Sequence, residues 1–426
     1  MRLALLTGLF LASFYVFGQQ PVTPRTLNTW YDPAFVHAST TDSMVVTSWG
    51  DAWAGSNALP STFAYKFLFG GEVTDKIKEQ ATKKLDPLNT GGYDFQYGLW
   101  YSSFLSFMPG YRVHVGIEQT AHRGFIFTDD LLRMGLYGNA IFADETAVFD
   151  GSGYDAKAYM NLKLAVSKEA QLGKNQLFFS IGMGILEGLA GEELDISNGS
   201  IYTAPDGSYL DLDYAFTYNT TGRGANKISN PRGWAVGGDL SALLIGDDNK
   251  WQAAASISDL GVLAWNHERL ARYAGDTTST YEGIDVTDIV LGVQDLSSNS
   301  NSDLLLTYID LDTLDGNFSS VTPARFDAHF SYQLMEGTDL TAGVTHRLGS
   351  SFDPAVYLIG SKQFGPSEAQ VMLSFGGYGG WGIGGGYGIT VMDHYHVDIR
   401  TPNILAFIVP GFSTVSGLQL RLSAGF

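Results

Sequence analysis

Chemistry, if this chain performs any, has few residues to work with. His267 and Glu268 in NHERLARY resemble the start of a helical zinc-protease site, but Ala271 stands where the second His would be needed. DLDTLDGN (Asp310 to Asn317) has calcium-loop character and is one residue too long for the standard spacing. GGWGIGGGYG supplies glycines on a period-two segment, which suits a barrel wall with room for an inward loop better than a phosphate cradle. No Ser lies in a G-x-S-x-G elbow. The reading is therefore of a non-enzyme, with no catalytic residue, cofactor or metal site assigned. What remains is a set of charges set singly among apolar residues: Arg112, Glu118, Lys163, Asp211, Asp213, Asp327, Arg347 and Arg421.

Those charges share one arrangement. In YRVHVGIEQ, Tyr111, Val113, Val115 and Ile117 alternate with Arg112, His114, Gly116 and Glu118. AYMNLKLAVS does the same around Lys163, YLDLDYAFTYN around Asp211 and Asp213, and ARFDAHFSYQL around Asp327. YDFQYGLWY and WGIGGGYGITV repeat the pattern with glycines on the polar face, and SGLQLRLSAGF carries it to the last residue. A two-residue period marks a strand with two unlike faces. A soluble sandwich also alternates. Three features favour a membrane barrel: segments of about ten residues, apolar faces tipped with Tyr, Trp and Phe, and full charges beside glycines on the other face. The expected fold is all-β, a transmembrane antiparallel barrel of about 14 strands, in the range 12–16. The charged residues are then expected to face the lumen. Terminal Phe426 looks like the C-terminal signal read by outer-membrane assembly machinery.

The other features agree. MRLALLTGLFLASFYVFGQQ has one early positive charge, a short apolar run and small Gly18, a secretory signal peptide over residues 1–18. Residues 19–42 are then an N-terminal segment, periplasmic or plugging the lumen, and 43–426 one barrel domain. The absence of cysteine leaves no disulfide and no lipidated Cys, and a net charge of -19 argues against a nucleic-acid partner. Short polar turns are expected at GDDNK (Gly246 to Lys250) and FGPSEA (Phe364 to Ala369). Helical spacing appears from Gly71 to Leu85, from Thr128 to Asn139 with Thr128 or Asp129 as N-cap, and more weakly from Val286 to Ser298. ISDLGVLAWNHERL breaks the two-residue period at Asp259, Leu260 and Gly261 before Trp265. That break reads as a folded rim plug, or as a gate over a ligand path.

YDPAFVHAS resembles the opening of Bacteroidota outer-membrane barrels, including those associated with type IX secretion, with Asp32 in the place where Asn is usual. DDLLRMGLYGN, GWAVGGDLSALL, ISDLGVLAWN and YEGID, in that order, are similar to a family of exported Bacteroidota proteins of unassigned function. The resemblance implies an outer-membrane barrel of a Gram-negative bacterium and brings no catalytic residues. Two functions fit. One is a narrow or plugged transporter for a small or amphipathic solute. The other is a non-conducting barrel that anchors secretion or surface-assembly components. Outer-membrane lipid, lipopolysaccharide and the assembly machinery are the partners expected in both.

Overall fold

Strands that alternate apolar and polar residues bury one face only, so they must find a sheet whose two sides meet different surroundings. The computed structural model describes residues 31–40, 42–221, 231–266, 270–281, 312–392 and 394–426. The expected signal peptide, the third helical insert and His267 and Glu268 lie outside the described residues.

The first element is the helix α1 (Pro33–Ser39), whose N-cap Asp32 accepts from the Ala34 and Phe35 N–H groups. Proline in its first turn lacks an N–H that would otherwise need a partner. Next come β1 (Met44–Ser56), α2 (Ser61–Phe69), α3 (Asp75–Thr82), β2 (Leu88–Phe104), β3 (Tyr111–Thr128) and α4 (Asp129–Tyr137). Thr128 caps α4 by accepting from Leu131 N, and Gly138 at φ 80° ends it. The chain continues through β4 (Thr146–Val148), β5 (Gly153–Leu172), β6 (Asn175–Thr203), β7 (Leu210–Thr220), β8 (Gly233–Ile245), β9 (Trp251–Trp265) and β10 (Ala271–Tyr281). It resumes with β11 (Asp312–Thr313), β12 (Ser319–Val321), β13 (Arg325–Met335), β14 (Thr338–Arg347), β15 (Asp353–Phe364) and β16 (Ser367–Gly377). β17 (Gly379–Val391), β18 (Tyr395–Thr401), α5 (Leu405–Ile408) and β19 (Val415–Gly425) complete it.

Fourteen strands form a closed antiparallel ring: β1, β2, β3, β5, β6, β8, β9 and β13 to β19. The last strand closes on the first, from Val45↔Gly425 to Gly55↔Val415. Phe426 completes the seam by exchanging backbone hydrogen bonds with Met44 (2.8 and 3.0 Å). Closure gives every strand of the ring a partner on both sides, and the outward residues Tyr97, Leu99, Ile117, Leu164, Ile181, Val236, Leu358 and Leu420 are all exposed and mostly aliphatic. The chain is thus a transmembrane β-barrel. GDDNK and FGPSEA are tight turns between β8 and β9 and between β15 and β16. They lie at the end that also holds the C-terminus; the helices α2 to α4 lie at the opposite, long-loop end.

Of the other five strands, β12 continues the wall beside β9, from Ser319↔Ala264 to Val321↔Val262, and β4, β7, β10 and β11 stand outside the ring. The distal part of β6 leaves β8 after Gly188↔Gly233 and pairs instead with β7, from Glu192↔Thr220 to Thr203↔Leu210. β7 pairs in turn with β10, which makes a flap of sheet at the long-loop end. This corrects the expectation for Asp211 and Asp213: both are exposed on that flap, bonded to Thr280 Oγ1 and Asn198 Nδ2, and neither faces the lumen.

Candidate functional site: the plugged lumen

The helix α1 lies inside the ring, packed against β5, β6 and β8. Ala34 and Phe35 meet Phe178 of β6 and Leu243 of β8. Tyr31, just before the helix, stacks on Trp100 of β2 with ring centroids 4.2 Å apart, and its hydroxyl lies 2.9 Å from His114 Nδ1. His37 Nδ1 is 2.8 Å from Ser167 Oγ on β5, and Ser241 Oγ of β8 accepts from Ala34 N at 3.4 Å. Arg112 holds the chain as it leaves the plug: Nη2 donates to Asp42 O at 3.1 Å and Nε to Ser102 Oγ at 2.6 Å.

Beside this plug sits an ionic centre built from five different strands. Lys163 Nζ of β5 is 2.6 Å from Asp259 Oδ1 of β9, 3.1 Å from Glu118 Oε2 of β3 and 3.3 Å from Asp239 Oδ2 of β8. Arg325 of β13 adds a second cation, 3.8 Å from Asp259 and 3.9 Å from Glu118, and donates to Gln96 Oε1 at 2.7 Å. Trp100 Nε1 donates to Glu118 Oε1 at 2.8 Å, tying the aromatic floor to the charges. The guanidinium of Arg325 also lies 5.8 Å from the Trp49 ring, within range of a cation–π attraction. Two cations face three carboxylates here, so each acid finds a positive neighbour and little charge is left over. Tyr31, Asp32, Trp100, Glu118, Lys163 and Arg325 help to line a narrow cleft between plug and wall.

A β-bulge makes this centre possible. Across β8 and β9 the register passes from Gly238↔Leu260 to Leu240↔Ile257, so β9 holds one extra residue. Asp259 sits at that point with φ 62°, a left-handed conformation that Asp tolerates better than most residues. Ser258 and Asp259 consequently both serve the lumen, as Arg325 Nε donates to Ser258 Oγ and Asn161 Nδ2 to Asp259 Oδ1. The broken period is thus real, but its cause differs from the expected rim plug or gate. Asp259, Leu260, Gly261 and Trp265 all belong to a continuous wall strand, with Leu260 exposed outside and Trp265 buried against Gly188 and Gly191. The element packed against the inner wall is α1.

The remaining candidates occupy other levels of the lumen. Arg347 Nε pairs with Asp94 Oδ2 at 2.7 Å, and Asp94 Oδ1 lies 2.8 Å from His122 Nδ1. Asp327 accepts from Tyr357 Oη at 3.1 Å. Arg421 is buried opposite Asp398 on β18 and Trp49 on β1. Across the lumen from the ionic centre, Trp53, Phe352, Tyr357, Ile359, Met372 and Tyr378 form an apolar cluster. The residues that sequence reasoning left out of the site are Tyr31, Trp100, Asp239 and Arg325. Arg325 shares the alternating face of Asp327, and Asp239 that of Ser241, so the period held a usable signal for both. Among the described residues no group of three or more His, Cys, Asp or Glu side chains is placed to hold a metal.

Comparison with known proteins gives one family and a set of distant barrels. The model of a family of unknown function, DUF5723, matches residues 33–394. No curated protein sequence matches. Similar solved structures include a mutant of the monoaromatic hydrocarbon channel TodX (9% identity, 93% of each chain covered, TM-score 0.48). The Pseudomonas putida toluene transporter TodX is also similar (9% identity, 93% of each chain, TM-score 0.46). A third is a Pseudomonas aeruginosa FadL homologue (10% identity, 96% of this chain and 99% of that one, TM-score 0.42). None of these findings carries a link to Bacteroidota or to type IX secretion.

Proposed function

Because the chain belongs to DUF5723, whose function is unknown, membership brings no activity with it, and we propose from the lumen itself that the protein is a narrow, plugged outer-membrane channel for a small or amphipathic solute. The observation that carries this reading is how the plug is held. α1 joins no strand ladder; beyond its apolar packing on Phe178, Leu243 and Trp100, the bonds of Tyr31, Ala34 and His37 to the wall are single contacts to side chains. Each such bond contributes about 0.5–1.5 kcal/mol. A plug held this way can be displaced while the ring stays closed. The lumen has the ionic centre on one wall and the Trp53–Phe352–Met372 cluster on another, a combination suited to a solute with one polar and one apolar end.

The second reading is a non-conducting barrel that anchors secretion or surface-assembly components, type IX-like in its role. It is favoured by the same ionic centre, since charges already paired with one another conduct poorly. In either case outer-membrane lipid and lipopolysaccharide surround the wall, and Phe426 is the signal offered to the assembly machinery.

Planar-bilayer recording separates the two. The wild-type protein should give small or no currents, and a variant lacking residues 31–40 should give persistent ones, with faster entry of small amphipathic solutes into liposomes. A silent deletion variant that still shows the heat-modifiable gel mobility of a folded barrel would favour the anchoring role. Porin-sized, long-lived currents from the wild-type chain would contradict a plugged lumen.

A further inference from the structure

The barrel wall has one short stave. β18 pairs with β17 only up to Gly385↔Thr401 and with β19 only up to Arg400↔Gln419. Its neighbours run on toward the long-loop end, β17 to Gly379 and β19 to Val415, with no strand between them. The loop 402–414 fills that gap. Asn403, 1% exposed, bridges it: its Oδ1 accepts from Ile383 N of β17 at 3.4 Å and its Nδ2 donates to Val415 O of β19 at 3.2 Å. Ile404 N also donates to Ile383 O at 2.8 Å. One side-chain amide thus stands in for missing rungs of backbone.

What this loop shows to its surroundings is unusual for a loop. Residues 402–414 include no Asp, Glu, Lys or Arg, whereas the insert from Gly71 to Asp86 at the same end carries Glu72, Asp75, Lys76, Lys78, Glu79, Lys83, Lys84 and Asp86. Ile404, Phe407, Ile408 and Phe412 are all exposed, Phe412 at 87%. The bond from Ile404 to Ile383 sets the depth of Ile404, because Ile383 belongs to the outward apolar band. Trp381, one step further along β17, packs against Phe375 with centroids 5.0 Å apart, as interface aromatics do. The apolar loop is therefore continuous with the lipid-facing surface.

We propose that Ile404, Phe407, Ile408 and Phe412 form a wedge that inserts among the acyl chains of the outer leaflet and seals the wall where β18 stops. The partner is lipid, recognised by apolar contact and by the absence of charge. A row of uncharged, exposed aromatic and aliphatic side chains has no favourable place in water at this depth.

The chain contains no cysteine, so single labels can be placed cleanly. F412C and F407C, each carrying an environment-sensitive NBD fluorophore, would be reconstituted into phosphatidylcholine vesicles with nitroxide groups on the acyl chains. D206C, in the exposed turn between β6 and β7, is the reference. The wedge labels should emit to the blue of the reference, be quenched by the acyl nitroxides and be shielded from iodide; the reference should show the reverse. Quenching by iodide to the same extent as D206C would overturn the proposal. Shielding from both quenchers would overturn it too, because it would mean that protein covers the loop. Gel mobility confirms folding of each variant, and either labelled position suffices for the reading.

Discussion

The inner and outer faces of the same strands answer to different surroundings, and β3 and β5 show it residue by residue. Glu118 is 3% exposed while its neighbour Ile117 is 44% exposed; Lys163 is 3% exposed between Leu162 and Leu164, at 56% and 49%. The outward residues meet one another and lipid, and any apolar side chain of similar size would serve. The inward residues each meet named groups on other strands, so their identities matter. The outer face is governed by how deep a charge is placed, and the inner face by whether it has a partner.

The largest effect should come from removing a partner inside. Lys163→Met leaves Glu118, Asp239 and Asp259 with Arg325 as the remaining cation of the centre, and breaking a buried ion pair in this way costs about 3–5 kcal/mol. Urea unfolding in liposomes should show the loss. Adding Asp259→Asn should restore part of it, because one unpaired acid goes with the lysine. If Lys163→Met alone leaves stability unchanged, the ionic centre does not hold the wall together.

Next comes adding a charge outside. Leu420 faces lipid on β19, and Leu420→Arg should cost about 2–4 kcal/mol if it lies near mid-membrane. Gln419, one residue away, is buried inside, opposite Asp51 on β1 and Arg400 on β18. Gln419→Arg should cost less, since Asp51 on one side offsets the repulsion from Arg400 on the other. A register slip of one residue would exchange the two outcomes. Equal tolerance of both substitutions would mean that β19 does not separate lipid from lumen.

The same contrast explains what the sequence could and could not disclose. The outer face follows from period two alone, because lipid asks only that every second residue be apolar; Leu418, Leu420, Ile117 and Leu164 could be assigned without knowing any neighbour. The inner face depends on register. Lys163 and Asp259 belong to strands with β6 and β8 between them, and they meet only because the ring curves and the bulge turns Asp259 inward. Asp211 and Asp213 look the same in sequence as Lys163, because a flap of sheet outside the ring also has two faces. Alternation reports a two-faced sheet and carries no information on whether the sheet belongs to the ring. For residues 19–42 the sequence leaves lumen and periplasm both open, because the contacts of Tyr31 and His37 are with residues far along the chain.

The smallest effect tests the plug against the wall. Tyr31→Phe keeps the stack on Trp100 and removes the hydroxyl with its bond to His114, so it should weaken the plug's hold by about 0.5–1.5 kcal/mol. That corresponds to a rise of roughly two- to twelvefold in the population with the plug displaced, small in stability but readable as more frequent channel openings. Urea unfolding of the barrel should hardly change, because the closed ring of strands does not include residue 31. The two measurements therefore part company: conductance should respond to this substitution and global stability to Lys163→Met. If Tyr31→Phe destabilises the barrel as much as Lys163→Met does, α1 folds as part of the wall, and a plug that moves independently of it would have to be given up.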